Sequence, residues 1–540
     1  MTGAINLVIR QLATDWTHSL NEFWKFQVPM LLYPLSPIIK LIATILFLLL
    51  IIFGVAPQGL IAAPRLPNIT PGMERPEFWI KKIKTPMNPL LTPEKIHQMN
   101  EENLKRQDLR LSRIKDLKEN WTREEIFSLL KEDWEDFKRT KEVQYGKNGS
   151  PLGEAFWDKL RSNIDREAVQ ENNRMLFGLI VKRTDIRVFP TDAPSMSTPN
   201  NDAFDLLQHS SISVGSPVGI YHFSQDKKWA YVQAPFIRGW IHTRDLAIAK
   251  EKVEVVDDEE AKDRLVVTGN FVTVFGDPSL RQPVFTAQMG DSFPLLRSPG
   301  GSKESRAFYV IHIPSREKNG PLSIRKGYIR AGEDVHHGFL PYHQENVARQ
   351  AFKMLHHPYG WGDRLGGRDC SRFIMDLFRT FGFLMPRNSK EQAMVGMDPG
   401  SVEGKPIKEK QKFLDRSIPL ATTIRLPGHI MLYLGKDHGR HFVIHSLWGI
   451  QKSGKAGPGL QKIGRVVVSD LSLGEKGPNG SLLDRITDIR IIGSSHEAPR
   501  ASPWFPKTIP TCAKASVGHP PISEIRRSMI DSSLKSYIAH

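Results

Sequence analysis

Cys370 is one of two cysteines in 540 residues, and it sits where a nucleophile belongs. It follows a glycine-rich stretch (Gly360, Gly362, Gly366, Gly367) and opens a run in which Phe373, Ile374, Leu377, Phe378 and Phe381 recur at helical spacing. Asp369 or Ser371 can serve as the N-cap, and Gly382 stands where the helix should stop. A thiol in the first turn of a helix feels the positive end of the macrodipole, which favours the thiolate. A lone cysteine is more often a packing residue. The glycine turn and the flanking polar pair favour the nucleophile here.

A thiolate nucleophile needs a base. Two short apolar runs, 429–434 and 441–445, flank Gly435-Lys-Asp-His-Gly439 in a strand–turn–strand pattern. With Asp437 as the turn centre, His429 and His445 are each eight residues away and stand opposite one another on one face. Their Cβ atoms are then roughly 5 Å apart. A slip of one residue sends one imidazole to the other face. Cys370, His429 and His445 thus form a candidate nucleophile, base and orienter. The competing reading is a pair of ordinary strand histidines in a chain with 18 of them.

The stretch Tyr359–Pro386, with its GRDCSRF core, resembles the NlpC-type cysteine peptidases of bacterial cell-wall metabolism. So do Pro427-Gly-His-Ile-Met-Leu-Tyr-Leu-Gly435 and His445-Ser-Leu-Trp448-Gly449. The resemblance covers residues 340–495 and implies a papain-like α+β catalytic domain. It makes Cys370 the nucleophile, His429 the base and His445 the polarising residue. It also implies that the scissile bond joins γ-linked D-glutamate to diaminopimelate in peptidoglycan stem peptides. Asp369 and Ser371 stand where relatives contact the free amine of a terminal L-Ala, and Tyr359 and Trp361 where aromatic residues line the cleft. Helix capping is the competing role for Asp369 and Ser371.

The elements that must position this site lie upstream. Residues 180–250 and 260–335 share a weak repeat in which Gly239-Trp-Ile241 answers Gly327-Tyr-Ile329. Each unit carries short alternating strands and Gly/Pro/Asp turns, suiting a small all-β barrel. The run Lys182–Thr191 resembles the opening of bacterial SH3-like domains, which often wall one side of such a cleft. Tyr231 is the candidate for reaching it, while Trp229, Trp240 and Tyr328 suit barrel cores. Residues 106–179 read as helical. Thr122 and Glu125 form a capping box before an apolar face of Ile126, Leu129, Leu130, Trp134 and Phe137. This segment resembles the N-terminal stabilising domain of the same multidomain peptidases, and residues 64–105 read as a linker.

Residues 1–63 are expected to be a signal peptide or membrane anchor. Leu41–Ala62 is almost uninterrupted apolar sequence, long enough as a helix to cross ~30 Å of hydrocarbon. Export to the cell envelope follows, either periplasmic or anchored to the inner membrane, with membrane contact through 41–62 if that span is retained. The tail 496–540, which holds Cys512, is rich in Pro and Ser and expected to be poorly ordered. The expected fold class is therefore multidomain α+β: an apolar N-terminal helix, a small helical domain, two SH3-like barrels and a papain-like catalytic domain.

The net charge of +16 is compatible with nucleic acid, yet the basic residues are scattered and no nucleic-acid-binding signature is present. A carboxylate-bearing wall is the expected partner, with no nucleic acid. No HExxH, GxxxxGK[ST] or GxSxG pattern occurs, so neither metal nor cofactor is expected. The alternatives are a wall-binding scaffold with a vestigial peptidase domain and a papain-like amidase or acyltransferase.

Overall fold

Alternating apolar strands between Gly and Pro turns build the same sheet twice. The computed structural model describes residues 65–493 apart from 139–142, 200–202, 301–306, 319 and 455–456. The apolar span 41–62 and the tail 496–540 with Cys512 lie outside the described residues. Among the described residues no helix is long and apolar enough to cross a membrane.

The described part of the linker expected over 64–105, residues 65–105, is packed rather than extended. Helices α1 (Pro76–Ile80) and α2 (Pro93–Leu104) pack on the catalytic domain. Trp79, Leu90, Leu91 and Ile96 are buried in the same cluster as the catalytic helix. Asn100 donates to Gly382 O at 2.8 Å and accepts from Leu384 N at 2.9 Å. Isolated apolar residues scattered among charges carry no helical period strong enough to reveal this strap.

The helical segment follows as α3 (Arg123–Lys138) and α4 (Glu154–Ile164). The capping box forms: Thr122 N donates to Glu125 Oε2 at 2.9 Å and Glu125 N to Thr122 Oγ1 at 3.3 Å. The first barrel comprises β1 (Leu176–Ile180), β2 (Thr184–Arg187), β3 (Gln208–Ile212), β4 (Pro217–Phe223), β5 (Trp229–Gln233), β6 (Arg238–His242) and β7 (Leu246–Ile248). The second comprises β8 (Arg264–Val267), β9 (Phe271–Phe275), β10 (Pro283–Gln288), β11 (Ser292–Arg297), β12 (Phe308–Arg316), β13 (Leu322–Arg330) and β14 (Val335–His337). Their strand orders are β3-β2-β6-β5-β4-β1-β7 and β10-β9-β13-β12-β11-β8-β14. Strand for strand these are one topology, so the weak sequence repeat is a structural one.

In the catalytic domain, helix α5 (Gln344–Lys353) precedes α6 (Cys370–Arg379), and α7 (Ile407–Asp415) leads into a five-stranded sheet. Its strands are β15 (Thr422–Leu426), β16 (His429–Asp437), β17 (Arg440–Gly454), β18 (Gly457–Asp470) and β19 (Asp488–Ile491), ordered β18-β17-β16-β15-β19. Phe373, Ile374, Leu377 and Phe378 of α6 share one core with Ile430, Leu432, Leu434, Phe442 and Ile444 of the sheet. Each such side chain contributes about 1.5–3 kcal/mol on burial. That packing holds the first turn of α6 against the start of β16.

Candidate active site

The local sequence fixes the thiol's position. Asp369 is the N-cap of α6, its Oδ1 accepting from Arg372 N at 2.8 Å, so Cys370 is the first helical residue. Cys370 is 3 % exposed, and its Sγ lies 3.9 Å from the carbonyl oxygen of Gly428, the residue before His429. Helix start and strand start therefore meet at the sulfur. The preceding loop is clasped from outside: neutral His357 donates through Nε2 to Gly366 O at 2.9 Å, with burial pulling its pKa down to about 4.

The two histidines come together, though not by direct opposition. The hairpin turns through His438 (φ 43) and Gly439 (φ 79), a two-residue turn with both residues left-handed. Asp437 pairs with Arg440, and the register then shifts between Tyr433 and Gly435, leaving Leu434 as a bulge. Beyond it Leu432 pairs with Ile444, which sets His445 beside Met431, two residues from His429 on one face. The diagonal is short enough for contact: His429 Nε2 is 2.6 Å from His445 Nδ1. His445 Nε2 is in turn 3.0 Å from Ser469 Oγ. His445 is fully buried, and burial pushes its pKa down to about 3, so it is neutral at ordinary pH. One assignment of protons lets this chain work. His445 Nε2–H donates to Ser469, His429 Nε2–H donates to His445 Nδ1, and His429 Nδ1 is the basic nitrogen.

Residues 356–453 match the sequence model of the NlpC/P60 family, and residues 194–242 that of the SH3 domain of SH3b1 type. The chain carries an NlpC/P60 domain. A novel NlpC/P60 endopeptidase from Photobacterium damselae subsp. piscicida has a similar fold. It is 19% identical, with a TM-score of 0.63 over 80% of this chain and 98% of its own. An NlpC/P60 family protein from Bacillus cereus is 17% identical over 53% of this chain and 83% of its own, with a TM-score of 0.37. The comparison with curated proteins found no match. Together the family and domain matches support a cysteine peptidase acting on peptidoglycan.

Within the NlpC/P60 domain, Asp369 is engaged by the protein's own donors. Its Oδ1 accepts from Arg372 N, from Ser371 Oγ at 3.1 Å and from Arg387 at 3.2 Å. Its Oδ2 accepts from Gly362 N at 3.1 Å and from Arg387 at 2.6 Å. Five donors fill the roughly four lone-pair sites of a carboxylate. Arg387 also donates to Ser371 Oγ at 2.8 Å and to Ser210 Oγ of the first barrel at 2.6 Å. The sequence reading gave Arg387 no role; an arginine close behind the catalytic helix and an aspartate at its cap were the available signal.

A second buried charge network holds α6 to both barrels. Arg368 and Arg372 are wholly buried and share Asp376, at 2.7 and 2.6 Å. Burial works to raise the Asp376 pKa, yet Arg372 and Arg368 outweigh it and hold the carboxyl below its ordinary value. Arg372 also pairs with Asp363 at 2.8 Å, and Asp363 is bonded to Arg183 and Ser211 of the first barrel. Arg368 reaches Asn270 of the second barrel at 2.6 Å.

The aromatic residues divide between two clusters. Tyr359 and Trp361 join Phe204 of the first barrel and Trp448 of β17 in a chain of edge and tilted contacts, 5.2–6.4 Å between ring centres. Trp361 Nε1 donates to Asp205 O at 2.9 Å, tying this wall to the barrel. Tyr231 does not join it. Its ring is wholly buried 5.1 Å from Trp240, in the core between β-barrel and α3, and its hydroxyl bonds to Asp133. The reason is alternation: Tyr231, Trp229 and Trp240 share the barrel face that the helical segment covers. Phe204 and Ser469, which the sequence reading missed, were legible only as an aromatic in a polar loop and a serine ending an apolar strand.

Proposed function

We propose that this protein is a cysteine endopeptidase that hydrolyses the γ-D-glutamyl–diaminopimelate bond of peptidoglycan stem peptides. The observation that carries the reading is the relay from Ser469 through neutral His445 to His429, whose strand begins beside the Cys370 sulfur. His429 Nδ1 takes the thiol proton and the thiolate attacks the γ-carbonyl carbon. The tetrahedral oxyanion forms against backbone N–H groups at the start of α6, including that of Cys370. His429 then protonates the departing amine, leaving a thioester that water hydrolyses with His429 again as base. No metal or cofactor takes part in this route.

A preference for a free N-terminal L-Ala belongs to the same reading, but an ammonium on Asp369 must compete with Arg387. We assign the site to the cell envelope on the strength of the apolar span at 41–62. Incubating residues 64–540 with defined muropeptides and reading products by mass spectrometry tests the bond. Release of L-Ala-D-Glu is the expected product; cleavage at another bond overturns the assigned bond, and ester or amide exchange without hydrolysis overturns the assignment in favour of an acyltransferase.

A further inference from the structure

The groove beside His429 has a wall that the mechanism leaves unused. It is an open groove, and His429, Trp448, Gln451, Gly477 and Arg485 are among the residues that line it. Cys370, Asp369 and Ser371 are absent from this lining. The chemistry assigns a half of the substrate to it. The imidazole that takes the thiol proton must deliver it to the departing nitrogen, so the leaving group lies on the base's side. His429 and Arg485 are the titratable groups of the lining. Lys462 adds a second cation, 4.4 Å over the ring of Trp448.

The backbone that carries Arg485 is held on both sides. Lys410, itself 2 % exposed, donates to Asp484 O at 2.6 Å and Ile486 O at 2.9 Å, gripping the backbone on both sides of Arg485. Leu482, Leu483 and Ile486 anchor the same loop in the core. At Gly477 the loop touches β17 so closely that a Cβ would stand 2.4 Å from Gln451 O. Burial pulls the Arg485 pKa from 12.5 down to about 10, which leaves the guanidinium charged at neutral pH and able to attract a carboxylate.

We propose that Arg485 selects the leaving-group half of the substrate by pairing with a carboxylate of the amino acid whose amine departs. Meso-diaminopimelate carries such a carboxylate on its side chain and lysine does not. The assignment rests on the peptidase reading above and names the residue that reads the diamino acid.

The test uses the full chain and two peptides, L-Ala-γ-D-Glu-meso-diaminopimelate-D-Ala and the same peptide with L-Lys. Wild type should favour the first by about 10- to 100-fold in kcat/KM, the range of one charge-assisted contact. Arg485→Gln should reduce the ratio to near one, and Arg485→Lys should keep part of it. Thermal melts establish that each variant is folded; if Arg485→Gln is not, the Lys variant decides, and a ratio unchanged there overturns the proposal. Equal turnover of both peptides by wild type, or a ratio that survives Arg485→Gln, overturns the proposal while leaving the peptidase standing. Binding of both peptides to Cys370→Ala, measured calorimetrically, separates the two failures. Arg485-dependent preference without hydrolysis in wild type sinks the peptidase and keeps the selector; no preference in binding or turnover sinks the selector.

Discussion

His429 Nε2 stands 2.6 Å from His445 Nδ1 because one strand of their hairpin carries a residue more than the other. The two-residue turn pairs Asp437 with Arg440. Continued without interruption, that register would place His445 across from Leu432, on the face that packs against α6. The Leu434 bulge moves the pairing by one and returns His445 to the face of His429. A one-residue irregularity thus decides whether the base has an orienter.

Cys370→Ala and His429→Ala should each remove hydrolysis while leaving the fold intact. Loss of the base alone is expected to cost about 10²–10⁴ in kcat. His445→Ala should cost less, since His445 orients the proton carrier and transfers no proton itself. Steady-state kinetics on a muropeptide check this order, and wild-type turnover by Cys370→Ala would sink the thioester route.

Acid should unfold the catalytic domain early. His445 is held down to about 3, and His357 and His441 to about 4, all by burial, against an ordinary value of 6.5. Between these values the unfolded chain binds more protons than the folded one, so stability rises with pH through this window and falls as pH drops from 6.5 toward 4. Melts at pH 7 and pH 4.5 should differ by on the order of 10 °C in Tm. A flat profile would mean these imidazoles are not buried neutral.

Asp376→Asn removes the carboxylate shared by two fully buried guanidinium groups. Breaking a buried pair of this kind costs about 3–5 kcal/mol. Urea denaturation should show that loss, and limited proteolysis should show both barrels released from α6 before the sheet opens.

Asp369→Asn separates two roles for one side chain. As helix cap and partner of Arg387, its loss should lower Tm and reduce kcat/KM equally on L-Ala-γ-D-Glu-diaminopimelate and its N-acetylated form. A loss confined to the free-amine peptide would instead show that Asp369 holds the ammonium directly.

A phosphatase fused after residue 70 should be active only if the preceding apolar span directs export. A stable fusion without activity in the envelope would overturn the localisation.

The chemistry-bearing residues were legible because their signals are local. A cysteine after glycines at the head of an amphipathic run, and two histidines of matching parity around a turn, need no tertiary information. The barrels were legible for a related reason: period-two alternation and glycine turns recur in both copies. What each side chain touches was decided only by packing. The symmetric hairpin drawn from sequence put the histidines face to face, whereas the bulge makes them diagonal neighbours. Tyr231 looked as free to reach the cleft as to fill a core until α3 was seen to cover its face of the barrel. Residues 64–105 looked like a linker because Trp79, Leu90 and Ile96 are too far apart to show a period, yet each finds a partner on the catalytic domain. Asp369 is the sharpest case. Its sequence position beside the nucleophile suggested a ligand for the substrate's amine, and only the fold brings Arg387 to it from 18 residues downstream, with Ser210 of another domain bonded to that same arginine. Patterning along a chain reports which face a residue prefers; charge pairing depends on what arrives from elsewhere to meet it.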